Sequence, residues 1–183
     1  MVNRPEVSVV FPVYGQFSLD RSVIAVKSAL SQRGLNLEVV VSEQGEERRF
    51  PSIPKVGHVF SYHKSSQTLS DFNPGNMRNE AIAIANGKFI YTNDADIVFL
   101  DQYYLAKCVE AIKENPDRVF YRPFMRRFPL DEFSKFKESF KEQGIENTIK
   151  SLDLSQKYIA SLSGRVRKIR VFEKDSIYRK TFT

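Results

Sequence analysis

Asp94 and Asp96 stand one residue apart, directly after the short apolar run Phe89-Ile90-Tyr91. Two carboxylates at the end of a core strand are costly to bury unless a partner neutralises them. A strand puts residues i and i+2 on one face, so both groups can converge on one cation. Such hard oxygen donors suit Mg²⁺ or Mn²⁺, with water and substrate phosphates filling the remaining positions. A dication bridging a diphosphate stabilises it as a leaving group. Arg78, expected in the first turn of the preceding helix, offers a charged donor to the same ligand. Free N–H groups at that helix start also favour anions. Tyr14 presents a flat face to a base or sugar, and Glu43 an acceptor to an imide N–H. Together these groups fit a nucleoside diphosphate. Each also has a plainer reading. Asp-x-Asp pairs cap helices or sit on solvated turns, Arg78 can pair with Glu43 or Glu80, and Tyr14 can be a rim aromatic.

The elements that must position these groups can be read in order. Residues 7–14 form a nearly continuous apolar run, as a strand buried on both faces does, with Pro12 expected to stop it. A helical pattern follows over 18–32 (Leu19, Val23, Val26, Ala29, Leu30), closed by Gly34. A second buried strand spans 37–42 and ends in Glu43-Gln44-Gly45. Strand, helix and strand with short connections make a βαβ unit. A third strand is expected over 56–62. The helix from Asn73 or Asn76 carries Met77, Ala81, Ile82 and Ala85 on one stripe, with Asn86-Gly87 expected as a left-handed terminus. Further helices are expected over 101–114, 130–143, 146–152 and 155–162, and strands over 118–124 and 168–172. Phe133, Phe136 and Phe140 lie at helical spacing and read as a docking face.

This alternation predicts an α/β fold, a mostly parallel central sheet with helices on both faces. In such sheets ligands bind beyond the carboxyl ends of the strands. Three strand ends carry suggestive groups: Pro12-Val13-Tyr14, Glu43-Gln44 and Asp94-Ala95-Asp96. No Gly-x-Gly-x-x-Gly follows the first strand and no P-loop motif occurs, which argues against both nucleotide folds that need them.

Composition bounds the rest. A chain of 183 residues, 42% hydrophobic and 27% charged, suits one globular domain. Its division is expected as a core over 1–125 and a helical, basic extension or start of an acceptor region over 126–183, both in one domain. No apolar run approaches the roughly 20 residues of a membrane span, and no signal peptide is expected, so the setting is read as cytoplasmic. Cys108 cannot form an internal disulfide and sits in an apolar helical pattern, as a buried structural thiol does. His58 and His63 read as satisfied or solvated side chains. The net charge of +6 permits anionic partners. Its excess lies after Gly164 and reads as a solvated face, or as phosphate or peripheral membrane contact at the inner face of a membrane.

VSVVFPVYGQ, LEVVVSEQG and GNMRNEAIAIANGKFIYTNDADIVF together resemble the nucleotide-sugar-binding half of the family 2 glycosyltransferases, over about residues 7–99. The resemblance implies the Rossmann-like GT-A fold, a nucleotide-activated sugar donor such as a UDP-sugar, Mn²⁺ or Mg²⁺, and usually an inverting outcome. It implies that Pro12, Val13 and Tyr14 meet the nucleobase, that Glu43 faces the base and that Arg78 helps hold the nucleotide. It likewise implies that Asp94 contacts the ribose near the metal and that Asp96 ligates it. The acceptor would be a carbohydrate or a lipid-linked sugar. Ser42-Glu43-Gln44 departs from the paired aspartates of many relatives, and the Gly-Gly-rich segment and acidic pair that supply their general base are not found. Asp175 is a candidate base by position alone. A non-catalytic nucleotide-sugar-binding domain, or a truncated fragment lacking the base, is therefore the alternative. A nucleotidyltransferase would want a Gly-rich basic loop after the first strand, and nucleic-acid binding has only the basic tail behind it.

Overall fold

Odd-numbered residues of the first strand carry the core. In β1 (Val7–Tyr14), Val7, Val9, Phe11 and Val13 join one buried cluster, while Val10 joins another on the opposite face. Burial on both faces marks a central strand of a parallel sheet. The structure, a computed structural model, describes residues 4–14, 19–53, 57–66, 73–114, 121–122, 130–151 and 167–168. After β1 come α1 (Leu19–Leu30), β2 (Leu37–Gln44), β3 (Val59–Lys64), α2 (Pro74–Ile84), β4 (Phe89–Thr92), α3 (Tyr104–Glu114), β5 (Tyr121–Arg122), α4 (Leu130–Ser151) and β6 (Arg167–Lys168).

The main sheet has the order β3-β2-β1-β4, and every pairing in it is parallel. The short β5 and β6 pair antiparallel in a separate ribbon. Helices α1 and α3 cover the odd face of β1 through Ala25, Val26, Ala29, Leu105 and Val109. Helix α2 covers the other face by setting Ala81 and Ala85 on Val10 and Val40. This is the expected α/β architecture. Helix α4 docks outside α1, where Ile24 meets Phe136, Phe140, Ile145 and Ile149. The phenylalanine stripe is thus a docking face, and its partner is α1 rather than the sheet.

Several boundaries differ from expectation. The third strand begins at Val59 because it is an edge strand, exposed at both ends and half-buried between, so no continuous apolar run marks it. Gly144, with φ 74° and ψ 177°, breaks α4 into two helical pieces in a backbone region that only glycine occupies readily. Gly87 is not a left-handed terminus. Helix α2 ends at Ala85 in extended backbone, and a Cβ on Gly87 would lie 2.4 Å from the Ser8 nitrogen. Close approach to β1 is what requires glycine there. Gly87 N–H donates to Ser8 Oγ at 2.7 Å, and Ser8 Oγ–H donates to the buried Glu38 carboxylate at 2.6 Å. Asn86 adds its backbone N–H at 2.7 Å and its side-chain amide at 3.1 Å. A buried carboxylate so fully partnered is tolerated, and this one ties β1 and β2 to the α2–β4 turn.

His58 Nε2 meets the Gln32 carbonyl at 2.8 Å while its Nδ1 is buried without a partner among the described residues, and His63 Nε2 lies 3.4 Å from Glu80 Oε2. Burial pushes the Cys108 thiol up, which suits a structural role. The predicted helix over 155–162 lies outside the described residues. So do all but 121–122 and 168 of the predicted strands over 118–124 and 168–172.

Candidate functional site

Strand lengths open the site. β4 ends at Thr92, opposite Val10, while β1 runs four residues further to Tyr14. Among the described residues no strand covers the flank of β1 beyond β4, and this flank lies where the sheet order reverses, the usual ligand position in open α/β sheets. Val10 C=O accepts from Asn93 N–H at 3.0 Å, so the backbone groups of even-numbered β1 residues face β4. Pro12 comes after β4 has ended, and its missing N–H costs no ladder bond. The strand continues through Pro12 instead of stopping there.

Asp94 and Asp96 sit on a turn after β4, not on the strand itself, so strand alternation does not bring them together. The turn does. Ile97 N–H donates to Asp94 C=O at 3.2 Å, and the side-chain amide of Asn93 donates to Ile97 C=O at 2.9 Å. Asn93 is buried and braces the turn from beneath. The chain beyond is anchored where Phe99 packs on Tyr91 and Tyr104, with centroids 5.6 and 5.8 Å away, and where Phe99 N–H donates to Ser28 Oγ at 3.0 Å.

Helix α2 begins beside this turn. Asn73 caps it by accepting from Asn76 N–H at 3.1 Å, and Pro74 occupies its first turn. Arg78 stands in the second turn, not the first, and its Nη2 donates to Asp94 Oδ1. Of the pairings weighed for it, neither Glu43 nor Glu80 is the partner formed.

An open cavity of about 290 Å³ gathers five of the expected residues, Pro12, Tyr14, Arg78, Asp94 and Asp96, with Pro74 and Ala95 completing that wall. Arg21, from the first turn of α1, also lines it. Sequence reading missed Arg21. The available signal was position, because a helix that follows β1 at once starts at the carboxyl end of the sheet. Asn93 was missed as well, although a polar residue immediately after a buried strand is a natural brace for the next turn.

Two expected residues lie elsewhere. Val13 belongs to the core cluster beneath α1, on the opposite face of β1 from Pro12 and Tyr14. Glu43 pairs with Val13 in register and shares the parity of Val39 and Val41, so it too leaves the strand on the α1 face. Its carboxylate accepts from Arg49 N–H at 3.1 Å, Phe50 N–H at 3.0 Å and Tyr62 O–H at 2.8 Å. It clamps the loop after β2 and does not line the cavity. Burial first, and this bond second, push the Tyr62 hydroxyl up to about 12. Asp175 lies outside the described residues.

Charges in the cavity are half-matched. Arg78 and Asp94 neutralise each other, whereas Asp96 and Arg21 make no hydrogen bond or ion pair with another described residue. Among the described residues no group of three or more His, Cys, Asp or Glu is placed to hold a metal. Two carboxylates on one solvent-facing turn instead fit a hard cation that takes its remaining ligands from water and substrate phosphates.

The family model described as glycosyl transferase family 2 matches residues 8–177. The chain belongs to this family. No curated protein sequence matches it. Among solved structures, it is similar to S. aureus TarS 1-349 in complex with UDP-GlcNAc, with 21% identity, a TM-score of 0.50, and coverage of 72% of this chain and 38% of that one. It is also similar to the mannosyltransferase PcManGT from Pyrobaculum calidifontis in complex with GDP-Man and Mn²⁺. There the identity is 21% and the TM-score 0.51, covering 75% of this chain and 41% of that one. At that identity the likeness shows the GT-A fold alone, and this family 2 chain spans less than half of either solved chain. No described helix is long and apolar enough to cross a membrane.

Proposed function

We propose that this domain binds a nucleoside-diphosphate sugar, UDP-linked by first preference, in the cavity between β1 and β4. It transfers the sugar to an acceptor hydroxyl on a carbohydrate or lipid-linked acceptor, with inversion. The observation that carries this reading is the convergence of Pro12, Tyr14, Arg78, Asp94 and Asp96 on one cavity at the switch point of a family 2 domain. Pro12 and Tyr14 offer apolar surface to the nucleobase or ribose. Arg78 holds Asp94 in place and adds a donor toward phosphate. Asp94 and Asp96 would hold Mn²⁺ or Mg²⁺ together with the diphosphate, and the ion when bound lowers the cost of the departing negative charge. The two bound neighbours carry UDP-GlcNAc in one case and GDP-Man with Mn²⁺ in the other, which supports a nucleotide-sugar donor here.

Residues 1–125 would serve as the donor-binding core and 126–183 as the start of the acceptor side, with a cytoplasmic setting. The basic residues after Gly164, apart from the backbone of 167–168, lie outside the described residues, and an anionic membrane surface is the partner their charge suits.

The test is release of UDP or GDP from a panel of nucleotide sugars, with and without Mn²⁺ and simple sugar acceptors. Metal-dependent release that rises with acceptor supports a transferase. Tight donor binding with no release, even by slow hydrolysis, would turn the conclusion to a binding domain whose base comes from elsewhere.

A further inference from the structure

Arg21 reaches the cavity from α1, yet its guanidinium is held by a different element. It lies 5.2 Å from the ring centroid of Phe133 on α4. Phe133 is itself fixed. Phe136 and Phe140 bury against Ile24 beside it, and Lys137, one helical turn on, pairs with Asp20, the neighbour of Arg21. The first turn of α1 and the start of α4 are thus clipped together by two adjacent contacts. A guanidinium over a ring is held through its charge and leaves N–H donors for another partner.

The charge balance of a loaded cavity gives those donors a partner. Asp94 already holds Arg78. A divalent cation, the two carboxylates, Arg78 and the doubly charged diphosphate of a nucleotide sugar leave one negative charge over. Arg21, without a carboxylate among the described residues, matches it in sign and size.

We propose that Arg21 is a second phosphate-binding cation of this cavity, positioned by Phe133 of α4 to meet the diphosphate of the donor. The proposal rests on the donor-site reading above. It makes α4 part of the donor site, so that seating this helix completes the phosphate-binding groups.

The test is calorimetric titration of UMP and UDP, in Mn²⁺, into the wild type, Arg21→Ala, Arg21→Lys and Phe133→Leu, with a thermal melt of each. Arg21→Ala should weaken UDP roughly tenfold or more, as loss of a charge-assisted bond does, and should weaken UMP much less. Arg21→Lys keeps the charge without the planar fork and should fall between. It also preserves the comparison if the alanine variant does not fold. Phe133→Leu should weaken UDP roughly twofold to fivefold through loss of the ring contact. Equal losses for UMP and UDP, or unchanged UDP affinity in a folded Arg21→Ala, would overturn the proposal and leave Arg21 as a docking clamp for α4. Failure of the wild type to bind UDP would instead sink the donor-site reading, and this proposal with it.

Discussion

Glu43→Ala removes a carboxylate that accepts from two backbone N–H groups and a hydroxyl, at a position only 4% exposed. The Arg49 N–H belongs to an exposed residue, and water can replace its partner. The Phe50 N–H cannot be served so easily, because Phe50 is 1% exposed and stacks on Phe60. The half-buried Tyr62 hydroxyl loses its acceptor too. A buried donor left without a partner costs about 1–3 kcal/mol, and with the half-buried tyrosine at the low end of that range the two imply a loss of about 2–4 kcal/mol. In a domain of this size each kcal/mol moves Tm by about 2–4 °C, so the melt should fall by about 4–16 °C. Glu43→Gln keeps the shape and one acceptor oxygen and should lose about half as much. Differential scanning calorimetry reads the stability, and UDP titration of the same samples reads the site. UDP affinity should hold in whatever fraction is folded. An alanine variant that melts with the wild type but has lost UDP would refute the clamp and return Glu43 to the nucleobase.

Other outcomes follow from the same structure. Gly87→Ala would place a Cβ 2.4 Å from Ser8 N and 2.8 Å from Val7 C, both backbone atoms, so the sheet must shift and the urea midpoint should fall by the equivalent of about 1–3 kcal/mol. Gly144→Ala meets nothing within 4 Å, yet its φ of +74° makes it costly by about 1–3 kcal/mol, and the loss should come from α4. Burial pushes the Tyr91 hydroxyl from 10.0 up to about 12. A folded-state value raised above the unfolded one gives stability that is full below pH 10 and lost as pH climbs through about 12. Tyr91→Phe should therefore make the alkaline fall of the urea midpoint shallower across that window, and an unchanged slope would contradict the assignment.

The fold was legible where burial is two-sided. β1 and β2 are apolar almost throughout, and the helices between strands repeat at regular intervals, so the βαβ order could be read directly. β3 was displaced because an edge strand with exposed ends carries no such run. The carboxylate turn and Arg78 were legible because strand ends and helix starts meet at one end of a parallel sheet. Val13 was legible in principle, since period-two alternation sets it opposite Pro12 and Tyr14. Glu43 needed both that parity and the path of the loop after β2, which sequence pattern does not supply. Position alone could have placed Arg21 at the cavity, but its contact with Phe133 was hidden, because that ring comes from α4, far along the chain, and no local pattern pairs the two.

The central claim is that Asp94 and Asp96 turn this cavity into a cation-dependent diphosphate site. Calorimetric titration of UDP into the wild type and Asp96→Ala, with and without Mn²⁺, tests it most directly. The wild type should bind UDP markedly more tightly with Mn²⁺ than without, and Asp96→Ala should lose that metal-dependent gain while melting normally, because Asp96 makes no described bond that folding needs. Equal UDP affinity with and without Mn²⁺ in the wild type would contradict the account.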